Sequence, residues 1–358
     1  MFSLCYDRLN KEAIHSYIQE RGLAAMEGIR ATDIRESNEK LVKRFLMEYG
    51  ECTKMDIANG SGLSHPTVAK VLAEMVETGQ AVKVGKETSY GGRCSNKYRL
   101  DYDYHHVLIL IFTTDSLYYQ VNNLAQKKKE SGTIPIQGET HILEAADLIS
   151  DVRTRFPNIR LVEIGLPGNI LDGRLVYMAT PFYLVGCNVV EELEKRCHLP
   201  IQICNDVNAM AYGFYKRHIE VSLKQESMAY LFRNHSGPGA GIIINGKIIN
   251  GFSGFAGEVC NVWPPQDNLM DEVKSQIAAI LSVINPRYLV LSHDRTIELD
   301  TNALRRFVEE LFPRHTIPQF HITQEIPAGS TPELHFTTEF EENCADGLVE
   351  LAIESIFP

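Results

Sequence analysis

The stretch IQICNDVNAMAYGFYKR, residues 201–217, runs an alternating apolar strand directly into a helix, with Asn205 and Asp206 at the join. A carboxylate at the C-terminal edge of a strand faces the crevice in which open α/β sheets bind ligands, and it can accept a proton or hydrogen bond from a hydroxyl. Asn205 offers both a donor and an acceptor to a neighbouring hydroxyl. A purely local role for Asp206 stands beside this one, because a strand-to-helix junction favours Asp as N-cap.

Outward from this junction the chain keeps alternating. Upstream, HHVLILIF and SLYYQVNNL form a hairpin and GTIPI a third strand. ILEAADLISDVRTRF is a helix, RLVEIGL a buried strand and VVEELEKRC a helix. Downstream come strands SMAYLFR and GAGIIINGKIING, helix DEVKSQIAAILSVI, strand RYLVLSH, a further helix and the terminal ENCADGLVELAIESIF. This order predicts an α/β fold of two related lobes around a cleft. Residues 104–204 make the first lobe, to which a helix over 340–358 returns, and 205–339 make a shortened second lobe.

Residues 38–100 have another texture, behind a helical extension over 1–37. NEKLVKRFLMEYG places Leu41, Phe45, Leu46 and Tyr49 on one helical face. Thr53 caps a short helix with Ile57 and Ala58 inward, and Gly60-Ser61-Gly62 turns the chain. Ser64 caps HPTVAKVLAEMVETG, whose stripe is Val68, Val71, Leu72 and Met75 and whose stop is Gly79. Two strands around a Gly-rich basic tip follow. Three helices and a hairpin are the order of a winged helix-turn-helix. In such a motif the start of the second helix of the pair reads bases, here Ser64, His65, Thr67 and Lys70. The wing offers Lys83, Lys86, Arg93 and Lys97 to phosphates. Taken alone, Ser64 can be only a cap and an exposed lysine only solvated.

The whole chain carries a net charge of −11 over 358 residues, yet Asn38 to Arg99 holds ten Lys or Arg against seven Asp or Glu. A basic segment on an acidic body fits a DNA reader joined to a sensor. The eight cysteines lack a C-x-x-C pair, which argues against a disulfide framework or a zinc knuckle. The N-terminus has no signal-peptide pattern and no apolar run that would span a membrane, so a cytoplasmic protein is expected.

The segment IRESNEK to NKYRL, with Leu-Ser-x-Pro-Thr-Val and Gly-Gly-Arg, resembles the N-terminal domain of the ROK family (repressors, open reading frames and kinases), in its xylose-operon and N-acetylglucosamine repressor branch. The likeness continues through GLPGNILDGRLVYMATPF, CNDVNAMAYG and GPGAGIIINGKIINGFSGFAGEV. It implies a winged helix-turn-helix followed by a two-lobed actin-like, ribonuclease-H-like sugar-kinase fold. In enzymes of the family the Asp of Asn-Asp is the general base, a role that falls on Asp206, with Glu258 a second acceptor for sugar hydroxyls. Gly168 would let a ligand approach the backbone.

Several family features are altered. The first phosphate hairpin reads IFTTDSLYYQV without glycine, the second reads NHSGPGAG, and Ser292-His293 replaces a Gly-Gly pair. Asn261 stands at the histidine position after Gly-Glu, and the cysteine-rich zinc loop is missing. The implied protein is a homodimeric transcriptional regulator of carbohydrate genes that binds operator DNA and senses a sugar or sugar derivative, with no catalysis, metal or cofactor. Its ligand site comprises Gly168, Asn205, Asp206, Glu258 and Asn261. Two other readings are a regulator that works through a protein partner without a small ligand, and a bifunctional sugar kinase.

Overall fold

The computed structural model describes residues 31–88, 94–113, 115–136, 140–171, 173–177, 184–219, 226–262, 268–311, 314–317, 322–325 and 331–357. A break between Asp101 and Tyr102 separates two compact units.

The first unit contains α1 (Ala31–Tyr49), β1 (Cys52–Thr53), α2 (Lys54–Ser61), α3 (His65–Glu77), β2 (Ala81–Thr88) and β3 (Cys94–Leu100). Its three strands pair in the order β1-β3-β2. A capping box starts α2: the Thr53 hydroxyl accepts from the Asp56 amide, and the Asp56 carboxylate accepts from the Thr53 amide. Gly62, at φ 73°, ends it, so the helix runs through Gly60 and Ser61, where the sequence had placed a turn. Val68, Val71, Leu72 and Met75 are buried, as the 3.6-residue period requires. The stripe of α1 differs from the expected one. Val42 and Leu46 are fully buried, whereas Leu41 is 40% and Tyr49 59% exposed. Leu46, and half-buried Phe45, keep their expected inward places, but Val42 takes the position expected of Leu41 and Tyr49 as the helix turns its 42/46 edge to α2 and α3. Ala58 is only half-buried; Ile57 alone of α2 is buried.

The second unit repeats one arrangement twice. In the first half, β4 (His106–Phe112), β5 (Ser116–Asn123), β6 (Lys128–Pro135), β7 (Ile159–Leu166) and β10 (Ile201–Asn205) form a sheet of order β10-β7-β4-β5-β6. Small β8 (Asn169–Leu171) and β9 (Arg174–Tyr177) pair beside it. In the second half, β11 (Met228–Asn234), β12 (Gly237–Ile244), β13 (Lys247–Ile248), β14 (Tyr288–His293) and β17 (Glu333–Thr337) form a sheet of order β13-β12-β11-β14-β17. Each half has an antiparallel hairpin whose first strand also pairs in parallel with a later one. A further hairpin, β15 (Arg314–Ile317) with β16 (Ile322–Glu325), had no signal in the sequence reading, nor had β17.

Helices α4 (His141–Arg155) and α5 (Val189–Cys197) bury Ile149, Val152 and Leu193 against the first sheet. Helices α7 (Leu269–Val283) and α8 (Thr301–Leu311) bury Ile277 and Leu304 against the second. Between the sheets lie α6 (Asp206–His218), packed on β11 and β12, and α9 (Phe340–Ile356), packed on β7 and β4. Glycine makes their crossing possible. A Cβ on Gly213 would sit 2.0 Å from the Asn343 carbonyl oxygen, and one on Gly347 would sit 1.9 Å from that of Ala209. This close approach fixes α6, and with it the start of the helix at Asp206.

Candidate functional site

Asn205 and Asp206 divide the work at the strand-to-helix junction. Asn205 is the N-cap of α6: its Oδ1 accepts from the Asn208 amide at 2.9 Å, and its Nδ2 donates to the Gly168 carbonyl at 2.8 Å. Both polar atoms of Asn205 are therefore engaged inside the protein, and the local capping role proposed for Asp206 belongs to its neighbour. Asp206 opens the first turn, with its Oδ1 accepting from the Val207 amide at 2.8 Å.

Opposite it, Glu258 ends a loop held by glycine. A Cβ on Gly257 would lie 1.8 Å from the Ala240 carbonyl oxygen, and its φ of 90° is itself unsuited to other residues. Glu258 Oε1 accepts from Asn169 Nδ2 at 2.8 Å, and the same amide donates to the Gly254 carbonyl at 2.9 Å. Asn169 is only 3% exposed, and its Oδ1 has no partner. Thus a residue next to the Gly-x-Pro-Gly run ties the first half of the unit to the Gly-Glu loop of the second. The sequence offered no signal for it beyond that adjacency.

These groups line one cavity of about 350 Å³, together with Pro167, Gly168, Tyr177, Asn208 and Asn234. Gly168, Asn205, Asp206 and Glu258 are brought together there, and Asn261 is not. It lies in a 3₁₀ turn (Val259–Asn261), exposed, with its amide donating to the Glu258 carbonyl at 3.1 Å. The helical turn after Glu258 carries position 261 away from the cavity.

Burial pushes the Asp206 carboxyl up to about 7, against the backbone amides of Val207 and Asp206, which favour the anion, and with a smaller upward push from the Glu258 charge. No Lys, Arg or His is among the described lining residues. The two carboxyl groups can accept hydrogen bonds from hydroxyl donors. A carboxyl poised near neutrality is also what general-base chemistry needs.

In the loops expected to hold phosphates, several polar groups are already bonded within the protein. At the end of β4 the Thr113 hydroxyl bonds Ser116 Oγ at 2.7 Å and donates to Asp115 Oδ1 at 3.2 Å. Between β11 and β12, His235 Nε2 bonds Thr296 Oγ1 at 2.7 Å, and the Ser236 amide donates to Asn234 Oδ1 at 2.9 Å. Pro238, which has no N–H, sits in β12 opposite Arg233.

In the first unit, Ser64, His65 and Lys70 are exposed at the start of α3 and Thr67 is half-buried. Ser64 Oγ accepts from the Thr67 amide at 3.3 Å and bonds Thr67 Oγ1 at 2.8 Å, so both hydroxyls also serve the cap. Lys83 is exposed on β2. Lys97 lies on β3 opposite Thr53, where its charge helps hold the Asp56 carboxyl below the usual range, after the larger effect of the Thr53 hydrogen bonds. It stands midway along the hairpin, opposite Gly85, not at its tip. The side chain of Lys86, and Arg93 altogether, lie outside the described residues.

Fold and cleft define a class: a helix-turn-helix unit joined to a body with the fold of a sugar kinase. Residues 118–268 match the sequence model of the ROK family, and the chain carries a ROK family domain. It is 24% identical over 239 residues to the DNA-binding transcriptional dual regulator NagC of Escherichia coli strain K12, covering 64% of this chain and 58% of that protein. The chain thus matches less than two thirds of that relative's length. A solved ROK family transcriptional regulator, a homologue of the E. coli MLC protein, superposes with a TM-score of 0.62 at 14% identity, over 90% of this chain and 99% of the other. A ROK family glucokinase from Streptomyces griseus, solved with glucose and AMPPNP, superposes with a TM-score of 0.53 at 14% identity, over 70% of this chain and 99% of the other. Among the described residues no helix is long and apolar enough to cross a membrane.

Proposed function

We propose that the chain is a cytoplasmic, homodimeric transcriptional repressor of carbohydrate genes, whose winged helix-turn-helix holds operator DNA and whose kinase-like body senses a neutral sugar or sugar derivative without phosphorylating it. The observation that carries this reading is the convergence of Asp206 and Glu258 on one cavity with no basic side chain among its described lining residues, in a ROK domain carried behind a helix-turn-helix. The likeness to NagC supports the regulatory role. The turn geometry around Thr113 and Ser236, and the missing donor at Pro238, support the absence of turnover. A helix-turn-helix reads one half-site, so two copies would read a two-fold operator. Ligand binding that favours one dimer geometry by about 1–3 kcal/mol suffices to release DNA.

The test is operator binding by the full chain against a panel of sugars, sugar acids and phosphosugars, with ADP formation followed in parallel. One neutral sugar should weaken operator binding about tenfold, and no ADP should form. Phosphorylation that disappears in Asp206→Asn would replace the sensor by an enzyme. On the DNA side, Lys70→Ala and Lys86→Ala should each lower affinity and reduce the slope of log affinity against log salt by about one, while Thr67→Ala changes base preference. Unchanged binding in all three would move the DNA face away from α3.

A further inference from the structure

Behind the Asn-Asp junction lies a second cavity, of about 530 Å³. Its walls include Ile170, Val190, Ile203 and Leu351, and two buried polar side chains, Glu163 and Asn208, also line it. Glu163 sits in the middle of β7, between Ile109 of β4 and Gln202 of β10. It is 3% exposed, and its Oε2 has no hydrogen-bond partner. Asn208, 7% exposed on the first turn of α6, donates through Nδ2 to Asn250 Oδ1 at 3.1 Å, and its own Oδ1 has no partner.

A carboxyl in the centre of a sheet has no role in building the strand, where an apolar residue would fill the same space at lower cost. A buried carboxylate must be protonated, paired with a cation or bonded to donors. Among the described residues no Lys, Arg or His lines this cavity to supply the charge. With Glu163 ionised, the two unpartnered atoms are both acceptors, so the component that completes that form is a donor with at least two N–H or O–H bonds and a positive charge. A bare divalent cation fits poorly. Among the described residues no group of three His, Cys, Asp or Glu side chains is placed to hold a metal, and Glu163 is the one carboxylate among the described lining residues.

We infer that this second cavity binds a small molecule carrying a primary ammonium group, with Glu163 as its counter-ion and Asn208 as a second acceptor. The ammonium head has three donors for these oxygens, and a short carbon chain would cover the isoleucine and valine walls. The site is separate from Asp206 and Glu258 in function, although Asn205 and Asn208 border both cavities, and it does not depend on the proposed sensing of a sugar. In the empty protein, burial alone pushes the Glu163 carboxyl up to about 8. The titratable group beside it on β10 is Cys204, itself held neutral by burial and by Glu163 and Asp206. Near pH 7 an incoming ammonium ion therefore displaces a proton from Glu163.

The experiment is titration calorimetry on the full chain with methylammonium, ethanolamine and 1,3-diaminopropane chlorides, against potassium chloride at equal ionic strength. At least one amine should bind above the potassium control and release up to one proton per molecule at pH 7, read by repeating the titration in buffers of different ionisation enthalpy. Glu163→Gln, which keeps the shape and the neutral state, should fold and weaken that binding on the order of tenfold to a hundredfold. Asp206→Asn should lose sugar binding and keep the amine. Three results would overturn the inference: no amine binding above potassium, amine binding without proton release, or amine binding lost in Asp206→Asn and kept in Glu163→Gln. The proton count tests it on wild-type protein even if the Gln variant does not fold.

Discussion

The two ends of the cleft differ in how their polar side chains are used. On the Asn-Asp and Gly-Glu end, Asn169 and Asn205 spend their amide groups holding loops in place, which leaves Asp206 and Glu258 facing the cavity. On the hairpin end, the groups at the tips are bonded within the protein: Thr113 to Ser116, the Ser236 amide to Asn234, and His235 to Thr296 in the segment after β14. A donor already bonded within the protein must give up that bond to hold a phosphate, whereas a carboxylate oxygen, with more than one lone pair, can accept a further hydrogen bond from a ligand while keeping the one it has.

The largest expected effect tests this contrast directly. Asp206→Ala or Glu258→Ala should weaken the binding of whichever sugar releases the operator by on the order of tenfold to a hundredfold, the range for hydrogen bonds to charged groups. Thr113→Val should leave it within about twofold. Calorimetry on the three variants decides the matter, and an equal loss in Thr113→Val would erase the distinction between the ends.

A second test uses pH. The folded Asp206 carboxyl lies near 7, above the ordinary value of 3.8. The native state therefore holds this proton between about pH 4 and pH 7 where the unfolded chain has lost it. The stability this contributes is present at the acid end and is lost as pH rises through 7. Ligand-free Asp206→Asn should accordingly melt several degrees above wild type at pH 8 and at about the same temperature at pH 4. A melting curve at each pH suffices, and a lower melting temperature for the variant at pH 8 would mean that the carboxylate is stabilised where burial says it is penalised.

The smallest effect sharpens the division of labour at the junction. Asn205→Ala removes the N-cap of α6 and should cost about 1 kcal/mol of stability, while reducing sugar affinity far less than Asp206→Ala does. If the sugar affinity falls as far as in Asp206→Ala, Asn205 contacts the ligand in addition to capping.

Much of this was legible in the residues. The alternation of strands and helices, the capping of α2 by Thr53, the buried stripe of α3 and the strand-to-helix placement of Asp206 all follow from local periodicity and from chemistry acting over a few positions. The misjudged face of α1 shows the limit of that method. Of the expected Leu41, Phe45, Leu46 and Tyr49, only Leu46 is fully buried and Phe45 half-buried, while packing against α2 and α3 brought Val42 inward and left Leu41 and Tyr49 exposed. Asn261 failed for a related reason, since a position matched in sequence gives no account of the turn that follows Glu258.

The sequence by itself determined the class of each unit, because hydrophobic period, capping and glycine placement are local signals that every residue in an element shares. Only the tertiary structure decided which polar groups remained available. It gave the helix cap to Asn205 in place of Asp206, brought Asn169 from β8 across to Glu258, and enclosed Glu163 in the centre of a sheet with its Oε2 unpartnered. Hydrogen-bond satisfaction is a property of groups that meet across dozens of residues of chain, so no local pattern could have recorded it.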